Sequence, residues 1–198
     1  RYKAWWEHEY TDYALISVYA PNPNPMTVAP EIPSDHEKRW TDPEFIIKSN
    51  IYRLENTYYG GDAVPVWSYG YPGWEFIPSF TGCEVVLDRD TGWVHPNMDK
   101  EDLTTFNVES LNIDRSCKWY RKSCELLDLS IKQSRGKALP TIGAFGAVGD
   151  TLAAMRSSEQ LLFDTIDDPD RVIELELRLM KLWIEFHDER YRKIAVES

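Results

Sequence analysis

The sequence is short of basic residues and has no long apolar run, and both shortages exclude classes of protein. Lys and Arg number 22 against 33 Asp and Glu, which gives a formal net charge of -11. A chain this acidic lacks the basic face that binding to DNA, RNA or an anionic membrane requires. No stretch of 18 or more uncharged apolar residues occurs, so no transmembrane helix is predicted. We expect neither a nucleic acid nor a membrane as partner.

Cysteine is also scarce, and the three that occur do not form a disulfide framework. Cys117 and Cys124 lie seven residues apart in a helical pattern, about 10 Å along the axis, which is too far for a disulfide. The chain opens with RYKAWW and not with the apolar run of a signal peptide. These features predict a cytoplasmic location.

The composition is that of a folded chain with a sizeable core. Hydrophobic residues make up 42% of the 198 residues, and a chain of this length buries about 70% of its unfolded surface. We expect one domain over residues 1–198. Within it, the proline-rich segment 21–41 predicts a long excursion over the surface, because proline density opposes regular structure.

Strand and helix patterns alternate along the chain. A β-branched, aromatic or apolar run predicts a strand at residues 14–19, 63–67, 83–87 and 138–142. Helices are predicted from Asp42-Pro43 to Gly60, over 112–134 and over 168–195. This alternation predicts parallel βαβ units in an α/β fold. The units are too few for a closed eight-stranded barrel, which needs about 250 residues.

Aromatic residues gather where the second predicted strand ends. Trp67, Tyr69, Tyr71 and Trp74 lie there, and rings with polar tips suit a pocket for a flat or partly apolar ligand. The alternative is that these rings pack against a neighbouring loop or subunit. Both readings stay open.

A glycine-rich loop follows the last predicted strand and carries Phe145. Gly143, Gly146 and Gly149 precede a helix start, where backbone amides could hold an anion, or could form a plain strand-to-helix turn. Asp150 either caps the short helix that Arg156 ends or orients a substrate. Because loops after parallel strands lie at one end of the sheet, we predict one shared cavity. Its predicted lining is Trp67, Tyr69, Tyr71, Phe145 and Asp150, with Arg156 as a further substrate-binding residue.

No motif in the sequence predicts a catalytic residue or a metal site. The four histidines are scattered without metal-ligand spacing, and no Ser/His/Asp or Cys/His arrangement is present.

Two blocks resemble the uroporphyrinogen decarboxylase-like superfamily, which includes the corrinoid and coenzyme M methyltransferases. The first block is YYGGDAVP at 58–65 with FTGCEV at 80–85. The second is GAVGDTLAAMR at 146–156, followed by LLFD at 161–164 and DPDRV at 168–172. The resemblance implies that residues 1–198 form the N-terminal portion of a TIM (β/α)8 barrel, with its site at the C-terminal ends of the strands.

The chain departs from the true uroporphyrinogen decarboxylases at the positions that act in them. Their N-terminal Arg-Gln-Ala-Gly-Arg-Tyr block has no counterpart, since this chain carries Trp5-Trp6 in its first helix. Tyr69 stands where the resemblance implies an essential Asp, and Met155 where it implies a Tyr. Decarboxylation of uroporphyrinogen is therefore not expected. The methyltransferases bind zinc through His-x-Cys and a later Cys in their second half, so zinc or a corrinoid would enter only through a C-terminal half.

Two hypotheses of function follow. The first is a lyase or methyltransferase relative that acts on a small carboxylated or methylated compound. The second is a non-catalytic binding or assembly module that uses the aromatic loop surface. Since half a barrel leaves strand edges open, we also expect either that the chain is a fragment of a longer protein or that a second copy or a complementing chain covers these edges.

Overall fold

A computed structural model describes residues 1–9, 14–68, 76–142, 146 and 148–197. The helices of this part of the chain are α1 (Tyr2–Trp6), α2 (His36–Thr41), α3 (Pro43–Glu55), α4 (Phe76–Phe80), α5 (Lys118–Ser134), α6 (Val148–Arg156), α7 (Ser158–Asp167) and α8 (Pro169–Glu197). Its strands are β1 (Ser17–Pro21), β2 (Thr57–Gly61), β3 (Val66–Trp67), β4 (Glu84–Leu87), β5 (Gly92–His95) and β6 (Leu139–Pro140). None of these helices is both long and apolar enough to cross a membrane.

Helix α3 begins as its sequence predicts. The Asp42 carboxylate accepts a hydrogen bond from the Glu44 amide, and Pro43 takes the first helical position. The helix ends at Glu55, earlier than predicted, because residues 57–61 form β2. This strand pairs antiparallel with β1, with Ser17 opposite Gly61 and Pro21 opposite Thr57.

The three two-stranded sheets of the described residues differ from the predicted run of parallel units. β1 pairs with β2 and β4 with β5, both antiparallel, and β3 pairs with β6 in parallel. The β4–β5 hairpin includes Trp93 and Val94, in a stretch where no strand was predicted. The parallel pair joins two of the predicted strands. Membership in a barrel stays a prediction that these small sheets do not test.

The 21–41 segment is partly regular. Residues 36–41 form α2, because the Asp35 carboxylate accepts from the Lys38 amide and so caps the helix start. The segment thus contains the last residue of β1 and the whole of α2, with the prolines between them.

The main core lies between the helices of the second half and the hairpin. Phe80 and Tyr120 meet edge to face at 5.4 Å, and Phe186 from α8 packs on both rings. Apolar residues at helical spacing in the last helix predict a stripe that faces the core; they are Val172, Leu175, Leu179, Leu182, Trp183 and Phe186. All of them are buried in this core except Trp183, which is only half-buried. Trp67 is fully buried but lies outside this cluster.

Candidate functional site

The parallel pair β3–β6 brings two predicted strand ends together. The Leu139 amide donates to the Pro65 carbonyl (2.9 Å), and the Thr141 amide donates to the Trp67 carbonyl (3.1 Å). The Thr141 hydroxyl donates to the same carbonyl at 3.2 Å. Because the strands run in the same direction, the chain leaves both of them at one edge of the sheet. Ligands bind at this edge in α/β folds.

Trp67 is the most buried residue at this edge. None of its surface is exposed, and its indole nitrogen Nε1 has no hydrogen-bond partner in the described chain. The indole N–H is a donor only, and a buried donor left without an acceptor costs about 1–3 kcal/mol. Among the described residues, the indole nitrogen of Trp67 is therefore a buried donor without an acceptor.

Helix α3 fixes the backbone at the end of β3. Asn50, buried on α3, accepts from the Ser68 amide at 2.7 Å and donates to the Ser68 carbonyl at 3.3 Å. Arg53 donates to the Val66 carbonyl (2.5 Å) and to the Asn50 side-chain oxygen (2.9 Å). Two side chains thus hold Val66, the first residue of β3, and Ser68, the residue that follows the strand.

A cleft of about 200 Å³ lies beside this clamp. It is lined by Trp40, Phe45, Ile46, Ser49, Asn50, Arg53 and Ser68. Sequence reasoning missed Asn50 and Arg53. A signal existed for Asn50, which stands four residues after the buried Ile46 and so shares its face of the helix. A polar residue at an apolar position of this kind needs a buried partner.

Arg156 has other partners than a substrate. Its guanidinium forms an ion pair with Asp164 and donates to the backbone carbonyls of Met98 and Glu101. It is 4% exposed. The predicted substrate-binding role has no support in these contacts, because they occupy the guanidinium on three sides.

Asp150 is exposed and lies in the first turn of α6. The helix begins at Val148, three residues before the predicted start at Thr151, so Asp150 lies inside the helix and not at the cap position. Tyr69, Tyr71, Trp74 and Phe145 lie outside the described residues. The structure thus places Trp67 at the predicted strand end and leaves the common cavity a prediction.

The titratable groups of the described residues have ordinary structural causes for their shifts. Burial raises the pKa of the Cys83 thiol to about 12. Burial, followed by the hydrogen bond to Glu189, raises the pKa of Tyr120 to about 12. Wherever the pKa of a carboxyl group is shifted, hydrogen bonds lower it, as Arg156 does for Asp164.

The described residues do not provide a set of metal ligands. No group of three or more His, Cys, Asp or Glu side chains in this part of the chain is arranged to hold a metal ion.

Comparisons with protein-family models, with curated proteins and with solved structures find no match to this chain.

Proposed function

We propose that this chain is part of a uroporphyrinogen decarboxylase-like barrel whose strand-end pocket binds a small carboxylated compound. In this proposal it is a relative of the lyases and methyltransferases of that superfamily. The ligand approaches the shared edge of β3 and β6, where the chain leaves both strands.

The observation that carries this proposal is the indole N–H of Trp67, which has no hydrogen-bond partner among the described residues. A buried indole N–H without an acceptor is unfavourable, and a ligand oxygen that reaches Nε1 would remove that penalty. A carboxylate is the strongest small acceptor available, since hydrogen bonds to ionised groups are about twice as strong as neutral ones. Methylated ligands enter this proposal only if they also carry such an oxygen.

The remaining predicted residues have complementary roles in this proposal. Tyr69, Tyr71 and Phe145 follow the two strands in sequence and supply ring surface and hydroxyl groups to the ligand. Asp150 supplies an exposed carboxylate that orients a polar group of the ligand. Arg156 has no part in binding, because its partners are inside the protein.

Calorimetric titration with a panel of small di- and tricarboxylic acids tests this proposal. Each acid is compared with its amide and with uroporphyrinogen. At least one acid should bind, and its amide should bind more weakly. Trp67→Phe should weaken binding about tenfold, the effect of one lost hydrogen bond. The exposed Trp93→Phe in β5 is the matched control and should leave the affinity unchanged. No binding across the panel, or equal affinity for Trp67→Phe and wild type, would contradict the proposal.

Uroporphyrinogen itself should yield no coproporphyrinogen. Tyr69 stands where the resemblance implies an aspartate, and Met155 stands where it implies a tyrosine hydroxyl. Met155 is fully buried, and its sulfur accepts from the Thr81 hydroxyl at 3.7 Å. It is a core residue that offers no proton, so product formation from uroporphyrinogen would overturn this part of the proposal.

The second candidate is a non-catalytic binding module that uses the aromatic loop surface. The same titration separates the two candidates once an acid is found. Incubation of that acid with the protein, followed by mass spectrometry, yields a product for an enzyme and unchanged acid for a binding module.

A further inference from the structure

Helix α8 has a second apolar stripe in addition to the one in the core. Its members lie between 40% and 60% exposed and are Ile173, Leu177, Met180, Ile184 and Tyr191. Surface residues of this size occur singly on most monomers, whereas a contiguous row marks an interaction site.

The spacing of this stripe is that of a helix-pairing seam. Successive members are four, three, four and seven residues apart, which is the a/d pattern of a heptad repeat. From Ile173 to Tyr191 the row is about 27 Å long at 1.5 Å per residue. The buried stripe at Val172, Leu175, Leu179, Leu182 and Phe186 already serves the core. The second stripe is therefore available to a partner helix.

We propose that this stripe is the interface between two copies of this chain, with the two α8 helices antiparallel. In the register that we assign, Ile173 lies opposite the partner's Ile184. Leu177 then lies opposite the partner's Met180, and the two-fold axis passes between residues 178 and 179. Each layer of the interface combines one a position with one d position.

Charges beside the stripe select this register. Glu174 and Lys181 occupy equivalent heptad positions on one side of the stripe, and both side chains are exposed. In the assigned register, Glu174 faces the partner's Lys181, and the pair occurs twice by symmetry. A shift by one heptad instead places Lys181 against the partner's Lys181, or Glu174 against the partner's Glu174. Like charges at such positions disfavour pairing.

The charge pattern is compatible with the contacts that Glu174 makes within its own chain. Glu174 forms an ion pair with Arg171, yet its side chain remains 53% exposed. Carboxylates accept hydrogen bonds at both oxygens, so Glu174 retains acceptor capacity for a lysine of the second copy. Antiparallel helices also set opposite ends of their dipoles side by side, which favours this orientation over a parallel one.

Sedimentation velocity over a range of protein concentrations tests the interface. The wild-type chain should be a dimer at micromolar concentration. Met180→Glu should abolish it, and Lys181→Glu should weaken it about tenfold, because two ion pairs become repulsive. Glu174→Lys combined with Lys181→Glu restores the pairing and should recover the dimer.

Far-UV circular dichroism checks that each variant folds. A wild-type monomer at about 100 μM, well above a micromolar Kd, or a dimer insensitive to Met180→Glu, would overturn the proposal.

Cysteine cross-linking tests the orientation. In the assigned register Ile173 of one copy meets the partner's Ile184, so Ile173→Cys combined with Ile184→Cys should form intermolecular disulfides. Ile173→Cys alone should not, because its two copies lie about 16 Å apart along the helices. Wild type, which has three free cysteines, is the control. Cross-linking by Ile173→Cys alone would indicate parallel helices and would overturn the register.

Discussion

The guanidinium of Arg156 and the carboxylate of Asp164 form a buried ion pair. Nε and Oδ2 are 2.6 Å apart, and only 5% and 10% of the two side chains are exposed. Arg156 also donates to the carbonyls of Met98 and Glu101, which lie far from it in the sequence. One side chain therefore joins α6, α7 and the segment that follows the β4–β5 hairpin.

Arg156→Ala should destabilise the fold by about 3–5 kcal/mol, because it leaves a buried carboxylate and two carbonyls without their donor. Arg192→Ala is the control. Its ion pair with Asp188 is exposed, so the loss should stay within about 1 kcal/mol. Urea unfolding measures both values, and equal losses would contradict the role given to Arg156.

Asp164→Asn should lose stability in a pH-dependent way. The hydrogen bond from Arg156 lowers the pKa of Asp164 below its ordinary value of 3.8. The ionised group therefore stabilises the native state above that ordinary value, and this contribution is lost as the pH falls through the lowered pKa. The difference in unfolding free energy between wild type and Asp164→Asn should be largest near neutral pH and should shrink below about pH 4. A difference that stays constant from pH 7 to pH 3 would contradict this account.

Arg190 is a buried cation for which the described residues supply no carboxylate. It is 2% exposed, donates to the Ser123 hydroxyl at 2.9 Å and lies over the rings of Tyr120 and Phe186. Arg190→Met keeps the volume and removes the cost of burying the charge, so stability should be unchanged or higher. Arg190→Ala leaves a cavity and should lose about 2–5 kcal/mol. Thermal unfolding of both variants is the measurement, and equal losses would show that the charge itself stabilises the fold.

Gly61→Ala should be more damaging than Gly136→Ala. Both glycines have positive φ, +63° and +73°, a region that costs other residues about 1–2 kcal/mol. A Cβ at Gly61 would also collide with the carbonyl oxygen of Ile16, whereas a Cβ at Gly136 meets nothing within 4 Å. Gly136→Ala should show the conformational cost alone in urea unfolding. If Gly61→Ala is as stable as Gly136→Ala, the backbone at Ile16 moves aside without a cost in unfolding free energy, which would contradict this prediction.

Cys83 should resist thiol reagents in the folded protein. Burial raises its pKa to about 12, so at pH 8 its thiolate fraction is on the order of a thousandfold below that of an ordinary thiol. Cys117 and Cys124 are half-buried and should react first with iodoacetamide. Mass spectrometry of the digested protein gives the order of labelling, and urea should expose Cys83. Equal labelling of the three in the native protein would show that the core opens readily.

The sequence predicted correctly those elements that depend on neighbouring residues alone, such as a helix start or a helical stripe. Asp42 and Pro43 mark the start of α3 because a cap and a fixed φ depend on neighbouring residues alone. The stripe from Val172 to Phe186 follows from helical spacing. The strand at 57–61 was missed because its partner β1 lies about forty residues away, a pairing that periodicity does not encode.

Chain order was enough to predict that Trp67 lies at a strand end, and its role in a site stays a prediction. The buried contacts of Arg156 were not predicted, because its carbonyl partners are 55 and 58 residues away in the sequence. Asn50 was missed for a similar reason, since only the folded chain places its amide against Ser68.

The clamp between α3 and β3 has a consequence for the order of folding. Its contacts join residues 18 apart, whereas the bond between Thr141 and Trp67 closes a span of 74. Because closing a longer loop costs more chain entropy, the α3–β3 unit should close before β6 arrives. The edge proposed to bind ligand would then be completed only when β6 pairs with β3, a slow, non-local step that follows assembly of the α3–β3 unit.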